Sequence, residues 1–530
     1  MAGRLWSGAL SCQPVAVGSV ALDDARPLLI RGLLPTEADA LLPEAALQQD
    51  RGEVKLEESP SPWAPVKLPN ASLVRPAPRP MAFTDAVNLL AARAHRRPDG
   101  VHRYIRHTSL QGLPGLSAAL PLQRALDLVG PRLDAVNLWL GDGSLHSATH
   151  FDDRDNLILL MGGRKEILLL PPAQLTSLGY ASREERQFVR QVAEDGSTSF
   201  EGSVPTGRAP VENHSPYDPA SGEQIPCYLS NVSAGEALFI PALWSHAVRS
   251  SATEAVSASD GTSAGASAVP ASRSLHAMVN LWYVRGMHSF DAAVRAAPAF
   301  APAHAVRGSA LRSLGRLTEA GGAYRRALQL RAQADEPFFS DATQGLALTL
   351  LELERYSEAV PLLRASAMAV PLSTGAQTTH GLALQQLSRD AEAAFAFRAA
   401  LSSAPSDGRA HLHLGTSLAR ASRFSEAVRS FTQAAVLLPT DSAAYHQLGL
   451  ALGDTGQLQR AVRALEKAVD LEPTSGAAGW EGGAGFGGSA PTATLTTAAA
   501  RDLAAARRRH AIAGAGGWSR TLEARLRSEL

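Results

Sequence analysis

Residues 147–172 read SATHFDDRDNLILLMGGRKEILLLPP, and they combine two apolar runs of strand length with a histidine and an aspartate. His150 and Asp152 are two residues apart, so on an extended strand their side chains project to the same face. We interpret NLILLM and EILLL as the strands of a hairpin joined through residues 162–165, where glycine supplies the unusual backbone angles. The stretch therefore predicts a β-rich fold that presents an imidazole beside a carboxylate.

A second imidazole follows in ALFIPALWSHAV, which ends two residues after His246. Two histidines and one carboxylate are the set that holds Fe(II) in many non-haem oxygenases, with three coordination positions left open. Together, His150, Asp152 and His246 predict an open metal site for oxygen chemistry. Such a site needs no fourth protein ligand, so we assign a structural role to His146. Surface or packing roles are predicted for three further histidines, His102, His107 and His214.

The region from about residue 20 to 287 consists of short apolar runs separated by Pro, Gly and Ser, among them AVNLWLG, EALFIPA and HAMVNLWYV. Their length and their β-branched and aromatic members predict strands of a sandwich or barrel. Helical patterns are predicted at Phe83–Arg96 and Ser182–Glu194. Residues 250–274 are rich in Ser, Ala and Gly and predict a mobile insertion between two strands. Residues 1–19 are interpreted as an N-terminal tail.

An internal repeat with a period of 34 residues occupies the Ala- and Leu-rich region 288–475. The positions in phase are Pro371, Pro405, Pro439 and Pro473; Gly381, Gly415 and Gly449; and Ala359, Ala393, Ala427 and Ala461. Small residues let paired helices approach closely, and proline ends each second helix. The pattern resembles the tetratricopeptide repeat. Residues 476–530 are interpreted as a Gly-rich linker followed by a basic helical tail, either a capping helix or, by default, a solvated one.

Composition limits the classes of function. The 530 residues predict two or three domains, and the balance of 50 Lys and Arg against 50 Asp and Glu argues against a general nucleic-acid or membrane-surface binder. Two cysteines argue against a disulfide framework and against a Cys-rich zinc site. No apolar run of about 18 residues is present, so no transmembrane helix is expected. The first residues lack the pattern of a secretory signal, which predicts an intracellular location, cytoplasmic or nuclear.

Several motifs in the β-rich region resemble the Jumonji-C (JmjC) family of Fe(II)- and 2-oxoglutarate-dependent oxygenases, in particular its small protein-hydroxylase branch. HFDDRDN matches the family's H-x-D followed by Asn, and GGRKEILLLPP matches its G-x-K strand with paired prolines. NHSPYD and VNLWY match two further segments. GEALFIPALWSHAV matches G-D-x-L-F-I-P-x-x-W-x-H, with Glu236 replacing the usual Asp. The resemblance implies an α+β chain: a double-stranded β-helix (jelly-roll or cupin) followed by an all-α repeat solenoid.

The resemblance also implies a set of site residues. It assigns Fe(II) to His150, Asp152 and His246, and it assigns the far carboxylate of the cosubstrate 2-oxoglutarate to Lys165. O2 is the second cosubstrate. The remaining residues that the resemblance places around 2-oxoglutarate are Tyr104, Ser147, Asn156, Asn280 and Trp282. The implied activity is hydroxylation of a protein side chain, with the repeats recruiting the substrate or a partner protein.

Other functions stay open at the level of the sequence. The same chemistry could serve a histone lysine demethylase, although no Cys-rich chromatin-reading module accompanies the domain, or an RNA hydroxylase, which the neutral charge does not favour. A different class is a non-catalytic repeat scaffold with a relic barrel, against which the intact ligand set and Lys165 argue. A sugar-binding or isomerase cupin with another metal is a further alternative. The sequence leaves the substrate and the oligomeric state undetermined.

Overall fold

A computed structural model describes residues 11–510 except for 19–24, 38–40, 62, 65, 68–72, 94–100, 132, 142–145, 181–184, 194–197, 207–212, 222, 252–274, 285, 334–339, 370–372, 472–499 and 508. The chain divides into two compact units, residues 1–345 and 346–530. Each unit is described by itself. The predicted insertion at 250–274 and the Gly-rich linker fall almost entirely outside the described residues.

The first unit is built mainly from β-strands. In the described ranges they are β1 (Gln13–Pro14), β2 (Ala16–Gly18), β3 (Leu28–Ile30), β4 (Glu53–Ser59), β5 (Trp63–Ala64), β6 (Val66–Lys67), β7 (Leu73–Arg75), β8 (Ala77–Ala82), β9 (His102–Ser109), β10 (Leu133–Gly141), β11 (His146–Phe151), β12 (Asp155–Gly162), β13 (Arg164–Leu170), β14 (Glu185–Val192), β15 (Thr198–Pro205), β16 (Tyr228–Ser233), β17 (Ala237–Ile240), β18 (Ser245–Ser251) and β19 (His276–Tyr283).

These strands form three sheets. A nine-stranded sheet has the order β2-β3-β17-β12-β19-β10-β9-β4-β8, and a six-stranded sheet has the order β1-β16-β13-β18-β11-β5. A four-stranded sheet has the order β15-β14-β7-β6. Side chains from the nine- and six-stranded sheets pack against one another in one buried cluster that includes Ile158, Ile167 and Trp244. This arrangement is the predicted two-sheet, jelly-roll type of architecture.

Strand β12 shows why the opening stretch is so apolar. All its residues are buried, because Leu157 and Leu159 face a cluster with the outer helices, whereas Ile158 and Leu160 face the opposite sheet. A strand that is covered on both faces needs a continuous apolar run. The predicted hairpin is wrong in one respect: β12 pairs with β17 and β19, while β13 pairs with β16 and β18. The turn at Gly163, with φ of 79°, thus carries the chain from one sheet to the other.

Helices cover the outer face of the nine-stranded sheet, and their described members are Glu44–Gln49, Phe83–Arg93, Pro114–Ala119 and Gln123–Val129. The helix predicted at Phe83–Arg96 is therefore confirmed over its described part. The helix predicted at Ser182–Glu194 is wrong, because this segment forms β14, which pairs with β15 and β7. Pairing on both sides outweighed the local helical pattern, since strand propensity depends strongly on the partners that are available.

Residues 13–18, inside the predicted N-terminal tail, form β1 and β2, which lie parallel to β16 and β3. Next to β1, Cys12 forms a disulfide with Cys227. The low cysteine count argues against a disulfide framework, and the structure contains a single bridge between the two cysteines, which the sequence did not predict. The bridge and the pairing together attach the first described residues to the six-stranded sheet.

Three helices that begin the repeat region belong to the first unit: His288–Ala296, Ala301–Ser313 and Leu317–Gln333. Phe300 and Ala297 pack with Phe151 and Leu243 of the β-domain. Phe290 is fully buried beside Ala242. The start of the repeats and the β-domain therefore share a hydrophobic core.

The repeat helices continue in chain order as Ser340–Glu352, Tyr356–Ala369, Thr374–Gln386, Asp390–Ser403, Gly408–Arg420, Phe424–Leu437, Ser442–Asp454 and Leu458–Leu471. The phase-locked glycines mark close helix contacts: a Cβ added at Gly381 would lie 2.8 Å from the ring of Phe397, and Gly415 faces Phe431 in the same way. In the described ranges, no helix is both long and apolar enough to cross a membrane.

A C-terminal helix at residues 500–507 corrects the default expectation of a solvated tail. Its Leu503 and Ala506 are buried against Leu465 of the preceding helix. Asp502 also lies 2.9 Å from the imidazole Nε2 of His446. This segment caps the last repeat, because a terminal helix of a solenoid otherwise exposes its apolar face. Residues 511–530 lie outside the described part.

Replacing Leu503 by aspartate is expected to detach the C-terminal helix, because about 2 kcal/mol of apolar burial is lost. Hydrogen–deuterium exchange of residues 500–507 should then become fast in the variant. Ala504 is exposed on the same helix, so Ala504→Asp is the matched control and should keep slow exchange. Equal exchange in Leu503→Asp and the parent chain would contradict the capping role.

Candidate metal and cosubstrate site

The pairing of β11 with β18 brings the two candidate histidine ligands together. His150 and His246 are direct partners in this antiparallel register, and their rings lie 4.3 Å apart between centroids. Asp152 follows immediately after β11. Its Oδ1 lies 4.0 Å from Nε2 of His150, and its Oδ2 lies 3.7 Å from Nε2 of His246.

Backbone carbonyls fix which imidazole nitrogen faces Asp152. Nδ1 of His150 donates to the carbonyl of Ala148 at 2.8 Å, and Nδ1 of His246 donates to the carbonyl of Trp244 at 3.0 Å. A carbonyl can only accept, so Nδ1 is the protonated nitrogen in each of these hydrogen bonds. Nε2 is therefore the ring nitrogen that faces Asp152 in both histidines.

Hydrogen bonds position both the carboxylate of Asp152 and the loop that carries it. The amide Nδ2 of Asn156 donates to Oδ2 of Asp152 at 2.8 Å. The backbone N–H of Leu243 donates to the Asp152 carbonyl at 3.0 Å, and that of Ala242 donates to the Asp155 carboxylate at 2.9 Å. These bonds tie the loop before His246 to the loop after His150, which sets the distance between the ligands.

The three side chains fit a divalent metal ion. One ligand atom from each of His150, Asp152 and His246 lies within 4.8 Å of the others. Ligand atoms on one face of an octahedral ion are about 3 Å apart, so small side-chain movements would bring the three onto one ion. Two neutral imidazoles and one carboxylate are also the donor types that suit Fe(II). The residues present therefore match the group that the sequence resemblance implies.

One cavity of about 170 Å³ adjoins these three residues and contains every residue that the sequence analysis assigned to 2-oxoglutarate. Those residues are Tyr104, Ser147, Asn156, Lys165, Asn280 and Trp282. They come from both facing sheets, so the cavity lies between the sheets. Their common location is an observation of the structure, whereas their roles remain predictions.

Lys165 provides a buried cation in this cavity. Burial lowers the pKa of its ammonium from 10.5 to about 7, and its Nζ donates to Ser250 Oγ at 3.0 Å. The Tyr104 hydroxyl is buried too, beside Glu57 and Arg106, and burial raises its pKa. A buried cation and a buried hydroxyl donor suit a carboxylate guest, because an ion pair is weakly screened there. The cavity thus fits an anionic cosubstrate.

His107 packs on two tryptophan rings, as predicted, but it also lines the cavity, which the sequence did not indicate. Arg106 and His107 together oppose Trp139, because the register between β9 and β10 shifts by one residue at this point. This β-bulge, in which His107 has φ of 49°, turns consecutive side chains toward the same side. The ring of His107 lies 4.4 Å from Trp139 and 5.1 Å from Trp282. Period-two alternation in the sequence does not reveal such a bulge.

His214 also lines the cavity and is buried there, which confirms a packing role for it. Its ring stacks on that of His150 at 5.3 Å. The backbone N–H of Phe151 donates to the carbonyl of the adjacent Asn213, whose side-chain Nδ2 donates to the Phe151 carbonyl. The NHSPYD segment therefore braces the strand that carries the first ligand. The sequence motif indicated this loop, but only the fold places it against His150. Arg75, Arg106 and Trp139 are further cavity residues that sequence reasoning missed.

Comparisons with known proteins agree with this architecture. The model of the cupin-like domain matches residues 17–289, and models of the tetratricopeptide repeat match residues 286–337, 378–442 and 442–475. Among solved structures, the chain resembles YrrB, a tetratricopeptide-repeat protein with an unusual peptide-binding site, at a TM-score of 0.32 and 22% identity. That likeness covers 35% of this chain and 93% of YrrB.

Two curated relatives are JmjC-type enzymes by name. The human bifunctional peptidase and (3S)-lysyl hydroxylase JMJD7 is 27% identical over 239 residues, which is 43% of this chain and 74% of that protein. The Arabidopsis thaliana lysine-specific demethylase JMJ32 is 27% identical over 139 residues, 24% of this chain and 40% of that protein. The cupin-like match covers just over half of the sequence. The chain therefore belongs to the cupin-like domain family, with a JmjC-type domain followed by tetratricopeptide repeats.

Proposed function

We propose that this protein is an Fe(II)- and 2-oxoglutarate-dependent dioxygenase that hydroxylates a protein side chain. The observation that carries the proposal is the convergence of Nε2 of His150 and Nε2 of His246 on the Asp152 carboxylate, in the cavity that also holds the buried Lys165. When bound, Fe(II) with 2-oxoglutarate and O2 supplies the oxidising chemistry for C–H hydroxylation.

The chain's own residues have distinct tasks in this proposal. His150, Asp152 and His246 would hold the metal on one face, and the hydrogen bonds to Ala148 and Trp244 keep both imidazoles in the ligating tautomer. Lys165 would bind the far carboxylate of 2-oxoglutarate, with Tyr104 and Ser147 beside it. The enclosing sheets exclude bulk water, which strengthens the ion pair.

The repeats would bring the substrate or a partner protein to the domain. Tetratricopeptide repeats stack into extended surfaces that serve protein recognition, and the chain offers no basic excess for nucleic acid. Affinity capture with the full-length Asp152→Ala variant, followed by mass spectrometry for proteins that gain one oxygen with the parent enzyme, would identify the substrate.

The enzymatic proposal has a direct test. Purified protein loaded anaerobically with Fe(II) and then given 2-oxoglutarate and O2 should release succinate in an iron-dependent manner. Tight binding of Mn(II) or Zn(II) without any stimulation by 2-oxoglutarate would point to another type of cupin. No succinate release from fully iron-loaded protein would overturn the proposal.

The affinity for 2-oxoglutarate should fall as the pH rises above about 7. Lys165 has a lowered pKa of about 7, so its side chain is an ammonium below that pH. Above that pH the amine is neutral, and protonating it for binding costs free energy. Proton linkage gives a loss of up to about tenfold per pH unit. Titration of Mn(II)-loaded protein with 2-oxoglutarate between pH 6 and 9 measures this dependence. Lys165→Arg keeps its charge and should remove the slope, whereas a flat profile for the parent protein would contradict the role of Lys165.

A further inference from the structure

The charges that line the cavity are strongly unequal in sign. Among the described lining residues the cations are Arg75, Arg106 and Lys165, whereas the only carboxylate is Asp152. Asp152 is a candidate metal ligand, so its carboxylate would be occupied by the metal ion. A cationic guest group such as a lysine ammonium would therefore meet no carboxylate on this wall that could pair with it.

Arg75 and Arg106 are held in place from behind by acids that do not line the cavity. Nε of Arg75 lies 2.6 Å from Oε1 of Glu185, and Nε of Arg106 lies 3.1 Å from Oε2 of Glu57. A guanidinium has five N–H donors, and each of these ion pairs occupies only part of that set. Glu57 and Glu185 thus act as positioning residues, and the lining edge of each guanidinium can donate to a guest.

The two arginines act on one another. Burial and then the charge of Arg106 lower the pKa of Arg75. For Arg106, burial lowers the pKa, but the charges of the adjacent Glu57 and Tyr104 outweigh burial and raise the pKa overall. An anion that contacts both guanidinium groups would receive charge-assisted hydrogen bonds from each of them.

Lys165 forms a separate positive pole. Burial alone lowers its pKa, with no contribution from either arginine. By contrast, both arginines lower the pKa of His107, after burial, to about 3. His107 is therefore neutral at physiological pH, and the positive charge beside the Trp139 and Trp282 rings belongs to the arginines. Lys165 lies on β13 of the six-stranded sheet, whereas Arg106 and Arg75 lie on β9 and β7 of the other two sheets, so the cations line the cavity from different sides.

We infer that Arg75 and Arg106 bind an anionic group of the substrate, so that this protein acts on an acidic side chain and rejects lysine. The inference rests on the proposed function, in which Lys165 takes the carboxylate of 2-oxoglutarate and the arginine pair is left for the substrate. An acidic side chain would receive charge-assisted hydrogen bonds from preorganised guanidinium groups. A lysine would face like charges, which are strongly unfavourable in a desolvated site.

Binding of peptide pools tests this inference without knowledge of the flanking sequence. The full-length protein, loaded with Mn(II) and 2-oxoglutarate without O2, is immobilised and exposed to pools with random flanks and one fixed central residue: Asp, Glu, Asn, Gln, Lys or Arg. We expect the Asp or Glu pool to be retained at least about tenfold better than the Lys pool, as one charge-assisted hydrogen bond would give. Equal retention of all pools, including no retention of any, or preference for Lys, would overturn the inference.

Paired variants keep the charges balanced. Arg106→Gln with Glu57→Gln, and Arg75→Gln with Glu185→Gln, remove each ion pair without leaving a buried charge alone. Each paired variant should reduce the ratio of acidic-pool retention to Lys-pool retention toward one. The control is Arg103→Gln alone, because Arg103 lies on β9 but does not line the cavity, and Glu58 keeps its ion pair with Arg190. A control that loses the preference as fully as the cavity variants would also overturn the inference.

Succinate release by the parent protein is measured in parallel. Acid preference without 2-oxoglutarate turnover would defeat the proposed oxygenase function but leave the anion site standing. Turnover without acid preference would overturn the inference but leave the proposed oxygenase function standing. If Arg75 and Arg106 instead bind 2-oxoglutarate, omission of 2-oxoglutarate from the loading mixture would raise retention of the acidic pools by freeing the arginines, and that result would count against substrate selection.

Discussion

Asp152→Ala is expected to weaken Fe(II) binding more than about 100-fold and to abolish iron-dependent succinate release. Changes to groups that merely orient a metal ligand cost about 10- to 100-fold in affinity, so the loss of a ligand should cost more. Asp152 is the one candidate ligand that faces the Nε2 atoms of both His150 and His246. Its removal leaves two neutral imidazoles and no negative charge for a divalent ion. Competition of Fe(II) against a fluorescent chelator, done anaerobically, measures the affinity.

Asp153→Ala is the matched control. The Asp153 side chain is 58% exposed and pairs with Arg154, although it is adjacent to Asp152 in the chain. We expect Fe(II) affinity and succinate release close to those of the parent protein. If the two variants lose Fe(II) binding equally, the loss reflects damage to the loop, and the assignment of Asp152 as a ligand fails.

The second large effect is expected from truncation at the apparent domain boundary. A chain that ends at residue 287 loses Phe290 and Phe300, both of which are buried against the β-domain. Burial of two phenylalanines stabilises a fold by roughly 3–6 kcal/mol, which is comparable with the whole stability of many domains. We therefore expect residues 1–287 to aggregate or to unfold without cooperativity, and residues 1–336 to fold.

The truncation also reaches the metal site. Phe151 lies between His150 and Asp152 in the chain, and its ring contacts those of Tyr180 and Phe300 at 5.0 and 6.0 Å. Without Phe300, one side of Phe151 is exposed and the strand end that carries the ligands is less well fixed. Thermal unfolding and Fe(II) titration of both truncated chains test this. A cooperative 1–287 chain with parental Fe(II) affinity would show that the helices are dispensable.

The residues that could be predicted from the sequence share one property: their neighbours in the chain determine their position. His150 and Asp152 stand on one short segment, and Lys165 follows in the same continuous stretch, on the second strand after His150. The repeat glycines are recognisable because each recurs opposite a large residue, as Gly381 does with Phe397. A local pattern is sufficient where local geometry decides the outcome.

The errors occurred where distant partners decide. Residues 185–192 form a strand because β7 and β15 lie on either side of them. Arg75 reaches the cavity from another sheet, and no motif links it to the ligands. His107 lines the cavity because one extra residue in β9 rotates its side chain inward. None of these placements follows from the periodicity of the segment itself.

The Cys12–Cys227 bridge has a consequence for association between chains. Strand β1 is two residues long and exposed, yet it is the element that covers the outer edge of β16. Under oxidising conditions the bridge keeps this short cover in place. In the reducing interior of a cell, where disulfides are rare, the cover loses its covalent attachment and keeps its hydrogen bonds and the buried Val15 beside it. An uncovered strand edge can pair with another polypeptide. The redox state of the surroundings is thus expected to control whether this sheet ends within the molecule or offers its edge to a second chain.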